Sequence, residues 1–114
     1  MQYMLLIYDN EKYQAQRSDA EKGADYQAYD AFSKEFASAI KGGDALHPST
    51  EAKTVRVRDG KSLITDGPFA ETKEQLGGFY AVEAESIEAA LAIAAKIPWA
   101  TSGSIEVRPI LKFS

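Results

Sequence analysis

The sequence predicts one α+β domain over residues 1–114, with two amphipathic helices laid on an antiparallel sheet. Three observations predict it. The chain opens on an apolar run, "QYMLLIYD"; two later segments carry apolar side chains at helical spacing; and several short runs rich in Val, Ile and aromatic residues are bounded by Gly, Pro and Asp. A chain of 114 residues that is 45% hydrophobic and 26% charged suits one compact core.

In the opening run Tyr3, Leu5 and Ile7 point one way and Met4, Leu6 and Tyr8 the other, so both faces of this strand ask for burial. The stretch from Asp9 to Gly23 is polar and aperiodic and reads as a surface connection with a helical turn at its end, carrying no motif. From Tyr26 the apolar residues Tyr29, Phe32, Phe36 and Ile40 follow at spacings of three and four, a helical stripe ended by Gly42 and Gly43. "DALHP" is a short strand or extended turn closed by Pro48.

"KTVRVRDGKSLITDG" places two strands around Asp59-Gly60, a dipeptide suited to a two-residue hairpin, with Val55 and Val57 on one face and Arg56 and Arg58 on the other. "ETKEQ" reads as a short helical turn, with Thr72 and Gln75 in capping-box spacing. "GGFYAVEA" is the next strand. Ser86 caps a second helix whose stripe is Ile87, Ala90, Leu91 and Ala94 and which stops before Pro98. "GSIEVRPI" makes the last strand, with Ile105 and Val107 on one face. The order is β-α-β-β-α-β with a hairpin extension, the ferredoxin-like arrangement, in which both helices cover one sheet face. The two-faced first strand therefore predicts a homodimer that covers the other face with a second copy of the sheet.

A net charge of −4, with basic residues scattered along the chain, lacks the electrostatic footprint of nucleic-acid binding. The run "YMLLIY" is too short to span a membrane and has no basic lead or cleavage site. The absence of cysteine excludes disulfides, thiolate metal sites and a Cys nucleophile, and fits a cytoplasmic protein. One histidine and no ordered carboxylate spacing predict no metal site. No Walker pattern or GxGxxG follows a strand, and no cofactor is expected.

The stretch that asks for a function is "TDGPFAETKEQLGGFY", Thr65 to Tyr80. As backbone chemistry, the Asp66 carboxylate caps nearby amides, Gly67 supplies unusual dihedrals and Pro68 fixes the next. As a site, Asp66 faces a cleft at the sheet end beside Phe69 and Tyr80, near the charged run Glu71, Lys73 and Glu74, and serves as general acid or base. His47, the lone histidine, is the candidate partner as an Asp-oriented base. Arg56 and Arg58 are candidate clamps for a carboxylate or phosphate, or else cross-strand ion pairs with glutamates such as Glu83. Trp99 is placed over the end of the second helix.

The block "VRVRDGKSLITDGPFAETKEQLGGFYAVEAESIEAALAIAAKIP", with "YMLLIY" before it and "GSIEVRPI" after, resembles the YCII-related family in its DGPF subgroup, named for the turn found here at Asp66 to Phe69. The resemblance implies a ferredoxin-like fold that dimerises through its sheets into a dimeric α/β barrel. It also implies a polar cleft beside the sheet and genetic association with extracytoplasmic-function sigma factors. Shorter relatives have a His and an Asp proposed as a catalytic pair, the His on the first helix; here that helix offers Tyr26, Tyr29 and Asp30, and only Asp66 matches a subgroup motif. Three readings follow: an acid/base enzyme acting on a small polar or aromatic molecule, a non-catalytic ligand-binding or regulatory module with a protein partner such as a sigma factor, and a dimerisation scaffold.

Overall fold

The computed structural model describes residues 1–113. Among the described residues, six strands and three helices follow in the order β1 (Gln2–Asp9), α1 (Glu11–Ala15), α2 (Asp19–Glu35), β2 (Ile40–Ala45), β3 (Lys53–Arg58), β4 (Lys61–Asp66), β5 (Gln75–Glu83), α3 (Ile87–Ala94) and β6 (Ser104–Pro109), with 3-10 turns at Ser49–Glu51 and Pro98–Thr101. Four strands form one antiparallel sheet in the order β2-β5-β1-β6, and β3 and β4 form a separate hairpin. This is the ferredoxin-like order with the hairpin inserted between the second and third strands of the sheet. No helix among the described residues is long and apolar enough to cross a membrane.

Central β1 fixes the layers. Leu5 pairs with Tyr80 on one side and Val107 on the other. Tyr3, Leu5 and Ile7 are buried beneath the helices with Phe32, Val82, Ala90, Ile93, Ala94 and Ile97. Met4, Leu6 and Tyr8, on the opposite face, are half-buried. The alternation of the first strand therefore holds, and its second face is left without a helix.

Several elements differ from the sequence expectation. The helix expected from Tyr26 begins at Asp19, where Ser18 and Glu21 close a capping box, and it ends before Ile40. Ile40, Gly42 and Gly43 lie in β2. A Cβ at Gly43 would stand 2.5 Å from the Phe79 carbonyl oxygen, so this glycine permits close approach of β2 to β5 and is not a helix stop. The polar stretch after Asp9 forms α1, capped by the Asn10 side chain accepting from the Tyr13 amide.

"ETKEQ" is not a helical turn. Thr72 Oγ1 donates to the Glu74 carbonyl and Gln75 Nε2 to the Thr72 carbonyl, side-chain bonds that close an irregular loop running into β5. In α3 the capping by Ser86 is as expected, but Ile93 is buried where Leu91 was expected, and Leu91 is exposed. The Asp59-Gly60 hairpin forms with both residues at positive φ, 51° and 73°, as a type I′ turn requires.

Candidate functional site

A cleft of about 770 Å³ opens between α1, α2 and the sheet, with Ile7, Asp9, Tyr26, Tyr29, Tyr80 and Trp99 among its lining residues. Its chemistry begins with the last residue of β1. Asp9 continues the row of Tyr3, Leu5 and Ile7 and is only 3% exposed. A buried carboxylate must be compensated. Asp9 accepts from the Asn10 amide at 2.7 Å, Gln14 Nε2 at 2.7 Å and Ser102 Oγ at 2.5 Å. One residue therefore ties β1, α1 and the segment before β6 together. Gly103 makes this possible: a Cβ there would stand 2.0 Å from the Tyr8 carbonyl oxygen and 3.0 Å from the Asp9 side chain.

The second wall belongs to α2. Asp25 Oδ2 forms an ion pair with Arg17 and accepts from Trp99 Nε1 at 3.2 Å. Both bonds fall on one oxygen, leaving Oδ1 as an acceptor. Arg17 also lies 3.8 Å from Glu21, and the Asp25 carboxylate pushes its guanidinium further above its ordinary range, so it stays charged.

One helical turn beyond Asp25, Tyr29 meets Trp99 edge to face, with ring centroids 6.2 Å apart. Burial pushes the Tyr29 phenol well above the ordinary tyrosine value; nearby Tyr80, Asp25 and Asp9 add to this, while a hydrogen bond with the Trp99 backbone works the other way. Tyr29 is therefore a neutral donor at any physiological pH.

The floor is the start of β5. A Cβ at Gly77 would press within 3.0 Å of the Trp99 ring, and one at Gly78 would stand 2.9 Å from the Asp44 carbonyl oxygen. The paired glycines let the indole and β2 lie flat on the strand. Glu11 closes the mouth: its amide donates to Gln75 Oε1, and its carboxylate accepts from the Ser49 amide at 2.6 Å and hydroxyl at 2.7 Å.

Of the residues the sequence singled out, Tyr80 lines this cleft, its ring tilted against Phe32 with centroids 5.1 Å apart. Asp66 closes β4, its side chain 87% exposed, and pairs with Lys53 Nζ at 2.6 Å instead of capping the amides of its own turn. That turn is held by the Gly67 amide donating to the Ala52 carbonyl at 2.7 Å and by Thr54 Oγ1 donating to the Gly67 carbonyl at 2.8 Å. His47 is exposed, its Nδ1 3.2 Å from a Glu51 carboxylate oxygen.

Arg56 and Arg58 stand on β3 opposite Leu63 and Lys61, and Phe69 is exposed beyond β4. Glu83, the expected ion-pair partner of the arginines, instead takes the N-terminal ammonium at 2.8 Å, because β3 does not join the main sheet. Trp99 packs on α2 through Tyr29 and Asp25. Sequence reasoning missed Asp9, Asp25 and Trp99 as site residues. For Asp9 a signal was present: it occupies the next inward position of a strand whose inward row is apolar, where a carboxylate needs a reason.

Among solved structures, the chain is similar to the 5-chloro-2-hydroxyhydroquinone dehydrochlorinase of Burkholderia phenoliruptrix AC1100 in complex with 2,5-dihydroxybenzoquinone, with a TM-score of 0.54 and 16% identity over 97% of this chain and 94% of that one. That likeness is one of fold. An uncharacterised protein of Rhizobium meliloti (strain 1021) is 38% identical over 114 residues, 96% of this chain and 92% of the relative. The model of the YCII-related domain matches residues 1–114, and the chain, with its four-stranded sheet, inserted hairpin and cleft under α2, belongs to the YCII-related family.

Proposed function

We propose that the cleft binds a small, oxygen-bearing ring compound and that the protein catalyses proton transfer or elimination on it, working as a homodimer joined through the open sheet faces. The observation that carries this reading is the grouping of a neutral phenol, Tyr29, with the carboxylate of Asp25 and the indole of Trp99 in one cleft. A ring stacks against the aromatic wall. Tyr29 donates to a carbonyl or phenolic oxygen and stabilises charge developing there. Asp25 Oδ1 takes the proton from carbon, and Asp9 holds the frame. The fold neighbour, named as a dehydrochlorinase and bound to a dihydroxybenzoquinone, supports the same chemistry by analogy.

In this reading the general acid/base role passes from Asp66 to Asp25, because Asp66 stands on the hairpin with Lys53 as its partner. A second reading, a binding module that senses the same ligand and contacts a regulatory partner such as an extracytoplasmic-function sigma factor, is favoured by the engagement of Asp9 with three donors and of Asp25 with Arg17.

The test uses Trp99, the only tryptophan, as an internal reporter. A panel of hydroxylated benzenes and quinones is titrated while indole emission is followed, and hits are incubated in deuterated buffer to detect exchange of a carbon-bound proton by NMR. Tyr29→Phe is expected to weaken binding by roughly 5- to 10-fold, the cost of one hydrogen bond. Asp25→Asn is expected to keep binding and slow exchange by about 10² or more. Binding without exchange would select the sensing module; no response of Trp99 to any ring compound would defeat both readings.

A further inference from the structure

We infer that the β3–β4 hairpin is an exchange arm that packs on a second copy of this chain. The inference rests on the homodimer proposed above and adds to it a second contact surface.

The hairpin stands off the body. Its strands pair with each other and not with the main sheet, and the molecule measures 47 × 46 × 18 Å with a radius of gyration of 16.1 Å, against about 13 Å for a compact chain of this length. Antiparallel register puts Val55, Val57 and Ile64 on one face of the ribbon, Val55 directly opposite Ile64. These side chains are 63%, 61% and 68% exposed, and Phe69 beyond β4 is exposed as well. A two-stranded ribbon is marginal in water, and a contiguous apolar face on one marks a contact surface.

Two arguments identify the occupant as a second copy. The first is charge. Lys53 to Asp66 carries four basic residues against two acidic, whereas the rest of the chain carries nine basic against fifteen acidic. A basic arm and an acidic body are complementary when exchanged about a twofold axis.

The second is area. Four strands of six to nine residues at their usual spacing offer only about 460 Å² of open face around Met4, Leu6 and Phe79. That falls well short of the roughly 800 Å² per partner that a stable interface buries. The arm adds about 200 Å² of its own, and the surface that receives the partner's arm adds as much again, which brings the contact to the standard size. Exchange also carries Arg56, Arg58 and the Asp66 turn from their own body onto the partner's.

The test is self-association of the full chain by analytical ultracentrifugation for wild type, Val55→Glu/Ile64→Glu, and Leu6→Lys, with circular dichroism confirming that each variant is folded. Both arm side chains are already exposed in the protomer, so the double variant is expected to fold. Its dimer dissociation constant is expected to rise by about 100-fold or more, because buried apolar contacts are replaced by charges that meet an acidic body. A wild-type dimer broken by Leu6→Lys and unaffected by the arm variant would overturn the arm and keep the sheet interface. A wild-type monomer at micromolar concentration would overturn both.

Discussion

A phenol held away from water between two carboxylates and an indole resists ionisation, and this makes Tyr29 a measurable probe of the cleft. Its folded-state pKa lies above the unfolded value of about 10, chiefly through burial. Below about pH 10 the phenol is protonated in both states and pH has no effect through it. Above that, the unfolded chain ionises and the folded one does not, so stability falls as pH rises toward the folded pKa. Tyr29→Phe removes this loss. In urea titrations at a series of pH values the variant is expected to show a shallower alkaline decline than wild type, while the two curves run parallel at neutral pH. Equal alkaline slopes would mean that water reaches the phenol freely, and Tyr29 would lose its standing as a neutral donor.

Among the elements, α2 frames the cleft, and its position is set by its first turn. Ser18 Oγ accepts from the Glu21 amide at 3.1 Å, and the Glu21 carboxylate accepts from the Ser18 amide at 3.0 Å, which also holds that carboxylate below its usual pKa. Ser18→Ala is expected to cost about 1 kcal/mol, a fall in melting temperature of about 5 °C, whereas Ser18→Gly costs only a few tenths. No measurable loss in Ser18→Ala would show that the side-chain cap does not anchor the helix.

"SDAE" spells that box at Ser18 to Glu21, yet a search for apolar periodicity passes over it, because the first turns of α2 bury no apolar side chain. Gly42 and Gly43 misled for a related reason: a glycine that ends a helix and a glycine that admits a neighbouring strand have the same signature until the packing is known. The strands β1, β3, β4, β5 and β6 and the capped start of α3 were legible because alternation, Asp-Gly and Ser86 are local signals. The cleft was not, apart from Tyr80, because its walls come from segments far apart in sequence, Asp9, Asp25 and Trp99, joined by side-chain bonds that no spacing rule encodes.

At the scale of the whole molecule, the sheet order β2-β5-β1-β6 leaves the hairpin outside the core, so the domain is divisible at a defined place. The buried core from Tyr3 to Ile97 contains no residue of β3 or β4. The Gly67 amide donates to the Ala52 carbonyl at 2.7 Å, so the two ends of the excursion already meet. Joining Ala52 to Gly67 through a pair of glycines removes Lys53 to Asp66 without stretching the loop. Such a variant, measured under conditions where the chain is monomeric, is expected to unfold cooperatively with a stability within about 1 kcal/mol of wild type, since closing the shorter loop costs no more than closing the longer one. Its near-ultraviolet dichroism from Trp99 and Tyr29 is expected to be retained, because the two rings pack on each other and Trp99 on Asp25 and Gly77, all outside the excised strands. A loss of cooperative unfolding would mean that the hairpin stabilises its own body; retention of the fold would leave its aliphatic face with no role inside the protomer.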